Sequence, residues 1–177
     1  MGSRGSSRTS SRSRSAVGVE VRRADPSEGD EIGRLTEQVY RAGGFTTDDY
    51  SLVLLDGATR VRDAIVLVAT LDGRIVASVT LAPPGTPFAE IGRPHELEVR
   101  MLGVAAEARR LGIADRLMDE AEGLARSIGL TGVVLSTEPD MHDAHRLYER
   151  RGYERQPDRD WEVERFTLLV CTLTLAP

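Results

Sequence analysis

The chain contains no lysine: every one of its 23 basic residues is an arginine. That absence removes Schiff-base catalysis, a pyridoxal-phosphate lysine and the lysine of a phosphate loop together. Cysteine is represented by Cys171 alone, so no internal disulfide can form. Cys171 falls in the apolar run from Phe166 to Leu175 and reads as a buried structural thiol, which fits a reducing cytoplasm. The three histidines, His95, His142 and His145, show no H-E-x-x-H spacing. His142 and His145 stand three apart with no carboxylate or thiol placed as a third ligand, so no metal is expected. No apolar run approaches the roughly 18 residues of a membrane span, and no membrane partner is expected. The G-x-G-x-x-G fingerprint and the G-x-x-x-x-G-K-[ST] phosphate loop are both missing.

What is present is enough for a core. With 177 residues and 40% hydrophobic content, one compact domain over residues 16–177 is the expected solution. Residues 1–15 interleave serines with Arg4, Arg8, Arg12 and Arg14. This tract has no core-forming side chain and no apolar segment of a secretory signal, and it reads as a disordered, dispensable tail. The tail holds four of the 23 basic residues and none of the 28 acidic ones, leaving 19 basic against 28 acidic groups in the remainder. That balance argues against a nucleic-acid partner and is compatible with a cationic substrate.

The hydropathy pattern gives an order of elements. Val17 to Arg22 alternates as a strand, and Pro26-Ser27 opens a helix with Ser27 as its cap and Ile32, Leu35 and Val39 on one face. Gly43-Gly44 ends that helix. Residues 45–64 are open between strand, helical turn and loop. Ile65–Leu71 and Ile75–Leu81 flank Asp72-Gly73-Arg74 as a hairpin. Pro83, Pro84, Gly85 and Pro87 form a loop before a strand from Glu96 to Val104. A helix follows with Ile113, Leu117, Ala121, Leu124 and Ile128 on one face, then a strand over Val133–Thr137 and a helix over His142–Arg151 capped by Gly152. Trp161–Glu164 and Phe166–Leu175 supply the last strands. The order is mixed α/β around a largely antiparallel sheet.

The segment Arg109-Arg110-Leu111-Gly112-Ile113-Ala114 joins a strand to the start of a helix. A helix N-terminus presents N–H groups without internal partners and the positive end of the helix dipole. Gly112 and Ala114 leave room for a phosphate to approach the backbone, and the two arginines add charge. The ligand expected here is a phosphate or pyrophosphate. Downstream, Ala144-His145-Arg146-Leu147-Tyr148-Glu149-Arg150-Arg151-Gly152-Tyr153 reads A-x-x-L-Y-x-x-x-G-Y.

The first segment, R-x-x-G-x-A, resembles the acyl-coenzyme A binding signature [QR]-x-x-G-x-[GA] of the GNAT N-acetyltransferases, and the second resembles that family's A-x-x-L-Y-x-x-x-G-[FY]. The two stand in the family's order, and the resemblance spans Val19 to the C-terminus. It implies the GNAT acyl-CoA N-acyltransferase fold, a central mostly antiparallel sheet flanked by helices, with acetyl-CoA as cosubstrate and no metal. It also implies that Leu102 and Val104 offer main-chain groups to the pantetheine arm and that Arg109, Arg110, Gly112, Ile113 and Ala114 hold the pyrophosphate. Tyr148 matches the tyrosine that protonates the departing thiolate. Many members carry asparagine three residues before the alanine; here Met141 takes that cofactor-contacting position, and Ser136, Thr137 or a backbone group substitutes.

An amine is mostly protonated at neutral pH, so its attack on a thioester needs a base. Glu98, with Glu96 second, is the candidate, since both lie on one face of the strand that leads to the phosphate loop. The expected acceptor is a primary amine of a small molecule. A protein or peptide amine, a non-catalytic acyl-CoA sensor and an interaction module are the alternatives. Acceptor specificity is expected in segments 26–64, 83–95 and 156–161, and a homodimer is common among relatives.

Overall fold

The computed structural model describes residues 18–163 and 166–176. The serine-arginine tail expected to be disordered lies outside the described residues. The strands are β1 (Val19–Arg23), β2 (Ile65–Leu71), β3 (Arg74–Ala82), β4 (Glu96–Val104), β5 (Gly132–Thr137), β6 (Glu154–Arg155), β7 (Trp161–Val163) and β8 (Phe166–Thr174). The helices are α1 (Gly29–Gly43), α2 (Asp48–Leu55), α3 (Gly57–Asp63), α4 (Ile113–Ser127) and α5 (His142–Arg150). The sheet runs β1-β2-β3-β4-β5-β8-β6, with β7 pairing β8 beside it. Every pairing is antiparallel except β4 with β5, whose crossover is α4.

Local chemistry explains most boundaries. The β2–β3 hairpin turns on Asp72 and Gly73, both at positive φ (51° and 77°), as a two-residue hairpin turn demands. The cap at the start of the first helical segment is Asp25 rather than Ser27. Its side chain accepts from the Ser27 N–H while the Glu28 carboxylate accepts from the Asp25 N–H, a reciprocal capping box. Residues 45–64 fold as α2 and α3, opened by Thr47, which accepts from the Tyr50 N–H, and by Asp56, which accepts from the Thr59 N–H.

Helices cover both faces of the sheet. Ile113, Leu117, Met118, Ala121 and Ala125 of α4 are buried in the main core with Val79, Leu81, Leu97 and Leu135. A smaller core joins Ile32 of α1 to Ala24, Val66 and Val68. On that side α1 meets the α2–α3 corner backbone to backbone: a Cβ at Gly33 would lie 2.1 Å from the Leu55 carbonyl oxygen. Gly33→Ala is therefore expected to lower stability by about 1–3 kcal/mol through overpacking. Gly123→Ala, in α4 with open space around it, should gain about 0.5–1 kcal/mol. Denaturant melts of the two variants would check the pair, and an unchanged midpoint for Gly33→Ala would contradict the close approach.

Candidate active site

The site begins where β4 and β5 part. Their parallel ladder runs from Glu96 opposite Gly132 to Val99 opposite Leu135 and ends there. β4 continues to Val104 against β3, while β5, paired with β8 from Gly132 onward, keeps only that partner at Ser136 and Thr137. Beyond Val99 the β5-facing edge of β4 has no ladder partner among the described residues, and Leu102 and Val104 lie on this free stretch. A bulge marks the fork: Met101 sits at φ 54°, and β4 slips register against β3 between Ser78 and Thr80. A left-handed methionine is strained, and such strain gathers at functional positions.

β4 leads through a short turn, anchored by the fully buried Ala108, to the exposed Arg109 and Arg110. Gly112 caps α4 at φ 71° without a side chain, and nothing lies within 4 Å of where its Cβ would be. The first backbone bond of the helix runs from the Arg116 N–H to the Gly112 carbonyl, so the N–H groups of Ile113, Ala114 and Asp115 precede it. This is an open, uncapped helix N-terminus, the arrangement that binds phosphate.

The second signature is fastened to the first. Arg150 pairs with Asp115 at 2.8 Å, and Arg151 pairs with Asp119 at 2.6 Å and Glu122 at 3.0 Å. Burial works against the Arg151 charge, but its bonds to Asp119 and Glu122 raise its pKa above the ordinary arginine value. On the inner face of α5, Tyr148 is buried, with its ring 5.6 Å from that of Tyr153. Burial is the main cause that pushes the Tyr148 phenol above its ordinary pKa, so it holds its proton at neutral pH.

A cavity of about 590 Å³ opens at the fork. Its lining comes from Tyr40 of α1, Phe45 and the helix α2, from Val99–Met101 and Ser136–Glu138, and from Trp161, Val163 and Leu168. Met141 also lines it. The Glu138 side chain is half-buried in this wall and takes part in no hydrogen bond or ion pair among the described residues. Burial, with the nearby Asp140 charge, raises its pKa above the usual carboxylate value. Its backbone is pinned, since the Glu138 carbonyl accepts from the Met141 N–H and lies 3.0 Å from His145 Nε2. Behind the bulge, Arg60 is fully buried with no carboxylate in ion-pair range among the described residues; it donates to the Leu54 carbonyl at 2.7 Å and lies 3.3 Å from Met101 Sδ.

Glu98 and Glu96, expected to face an acceptor, do not line the cavity. Glu98 is buried, and its Oε2 accepts from the N–H groups of Glu90, Ile91 and Gly92 at 2.7, 2.9 and 3.0 Å. Glu96 is buried in a bidentate pair with Arg159, both contacts at 2.8 Å, and accepts from the Arg93 N–H. Burial alone would raise its pKa, but these bonds outweigh it and hold the Glu96 carboxyl below its usual value. Both carboxylates organise the loop that precedes their own strand. Sequence reasoning passed over Glu138; the available signal was its place directly after the β5 run and before Pro139. Among the described residues no group of three or more His, Cys, Asp or Glu side chains could hold a metal, and no helix is long and apolar enough to cross a membrane.

This geometry has well-populated counterparts. The chain covers 100% of a GNAT-family acetyltransferase from Staphylococcus aureus Mu50, with 90% of its own length, 13% identity and a TM-score of 0.72. It superposes on PaiA N-acetyltransferase from Thermoplasma acidophilum, solved with coenzyme A, at a TM-score of 0.71 and 12% identity, over 89% of this chain and 99% of that one. A GNAT-family acetyltransferase from Brucella melitensis, solved with acetyl-CoA, gives 0.64 at 19% identity over 92% and 91%. No curated protein matches the chain by sequence. The sequence profile of the acetyltransferase (GNAT) family matches residues 31–153, from the start of α1 through both signatures, and the chain belongs to that family.

Proposed function

We propose that this protein transfers an acetyl group from acetyl-CoA to a primary amine of a small molecule by direct attack, in a single domain over residues 16–177. One observation carries the reading: the free edge of β4 runs from the uncapped N-terminus of α4 to a cavity with an unpaired carboxylate. The pyrophosphate would be held by the N–H groups of Gly112, Ile113 and Ala114 with Arg109 and Arg110 beside them, and the pantetheine by main-chain groups at Leu102 and Val104. That places the thioester at the fork.

Glu138 is the base in this reading, in place of Glu98 and Glu96. An ammonium entering the cavity gives its proton to the Glu138 carboxylate, directly or through one water. The freed nitrogen attacks the thioester carbonyl; the tetrahedral intermediate collapses as the nitrogen sheds its second proton to water, replacing the one that Tyr148 gives up, and the C–S bond breaks with the electron pair leaving on sulfur. Tyr148 gives that sulfur its proton. Met141 stands where many relatives have asparagine, and the chain contains no asparagine at all. Ser136 and Thr137, both at the cavity, are the polar groups available there.

The test is a calorimetric titration of the protein with acetyl-CoA, followed by thiol release in the presence of amines. Saturable binding with amine-dependent release supports the proposal; no binding at millimolar acetyl-CoA overturns it. Met141 favours one second reading, a sensor that binds acyl-CoA without transfer, which would show binding and no release with any amine or peptide. Tyr148→Phe is expected to lower kcat about tenfold with acetyl-CoA affinity unchanged, because a thiolate leaves with only modest help from an acid. Turnover equal to wild type would remove Tyr148 from the reaction.

A further inference from the structure

The acceptor cavity is unusual for its rings. The chain has only 3 Phe, 4 Tyr and 1 Trp. Tyr40, Phe45, Tyr50 and Trp161, half of that total, line this one cavity, although they come from α1, the α1–α2 loop, α2 and β7. Tyr40 and Tyr50 meet edge to face, with centroids 6.3 Å apart. Val53, Val163 and Leu168 extend the apolar wall.

Among the described residues the charges in the same cavity are few and unevenly spread. Glu90 is taken up by Arg100 at 2.9 Å, and Asp49 is exposed. Glu138 is the unpaired, half-buried carboxylate at the fork, near enough for its charge to act on Tyr40 and Tyr50. A polycation would meet the half-buried Glu138, an exposed Asp49, a Glu90 already paired, and then Arg100, whose side chain is only 16% exposed and carries the same sign as the ligand. A cavity with one anionic end and an aromatic body suits a ligand with one ammonium and an aromatic body, since stacked and edge-on rings attract beyond the area they bury.

Resting on the acetyl-transfer reading, we infer that the acceptor is an aromatic primary monoamine, with its ammonium at Glu138 and its ring among Tyr40, Phe45, Tyr50 and Trp161. Trp161 is the sole tryptophan, so its fluorescence reports occupancy of the cavity without any need for turnover. The experiment titrates the full chain with 2-phenylethylamine, n-butylamine, ethanolamine and spermidine, following Trp161 emission and, with acetyl-CoA added, thiol release. The expected result is a saturable emission change with 2-phenylethylamine and a kcat/KM at least tenfold above those of ethanolamine and spermidine. Tyr50→Leu should raise KM for 2-phenylethylamine threefold to tenfold with acetyl-CoA affinity unchanged, and Tyr50→Phe should restore it. Equal or better use of spermidine or ethanolamine, or no emission change at millimolar 2-phenylethylamine, overturns the inference. Saturable emission without thiol release from any amine upholds the aromatic site and overturns acetyl transfer instead.

Discussion

Glu138→Gln is expected to lower kcat by about 10²–10⁴-fold, the range that a positioned base contributes, while leaving acetyl-CoA affinity within about twofold. The substitution keeps the volume of the side chain and removes its negative charge and its capacity to take a proton, while the acetyl-CoA site is untouched. Glu138 combines three properties: it lines the cavity at the fork, it is unpaired, and burial lifts its pKa. A lifted pKa makes the carboxylate a better acceptor of a proton from an ammonium, and it also sets the acid side of the rate profile. As pH falls through that raised value, Glu138 protonates and the wild-type rate drops; the glutamine variant should show no such limb. Initial rates of thiol release from acid to neutral pH would read both effects. A variant that keeps a third or more of wild-type turnover with the same acid limb would place the base elsewhere and return Glu98 to consideration.

Gly112→Asp should weaken acetyl-CoA binding by about 100-fold or more, because a fixed negative charge would occupy the helix N-terminus that a pyrophosphate requires. The position is open to solvent and left-handed at φ 71°, a conformation aspartate tolerates better than most residues. An acidic side chain at the start of α4 also suits the helix dipole, so the thermal midpoint should move little. Lost affinity with retained stability is the signature of a filled anion site and separates it from simple unfolding. Calorimetry and a thermal melt on the same sample decide the matter: affinity within about threefold of wild type would mean that the phosphates bind elsewhere.

The elements around the site were legible because their periodicity is strong and local. The β2–β3 hairpin, β4 from Glu96 to Val104, α4 from Ile113 and α5 from His142 all stand within a residue or two of where alternation and capping place them. Ile128, counted on the buried face of α4, is instead its C-terminal cap and 47% exposed, because the helix ends at Ser127. The helix α2 was not legible: Leu52, Val53 and Leu55 are exposed, so no single apolar face announces it. The roles of Glu96 and Glu98 depend on partners that only the fold supplies. Arg159 reaches Glu96 across 63 positions of sequence, and the three N–H groups around Glu98 converge only when the loop folds back. Parity along a strand places both carboxylates on one face and says nothing of what covers that face. Glu138 had no local pattern at all, since its environment is made by the end of a ladder.

Arg150 and Arg151 have a mechanical consequence. They bolt the helix that would receive the phosphates to the helix that carries Tyr148, through Asp115, Asp119 and Glu122. The anion site and the phenol are thereby joined through ion pairs between two helices, while the width of the fork is set separately by where β4 leaves β5. Against the cost of burial, the bonds to Asp119 and Glu122 raise the Arg151 pKa above the ordinary arginine value, so this clamp keeps its positive charge throughout the range in which an amine gains and loses its proton.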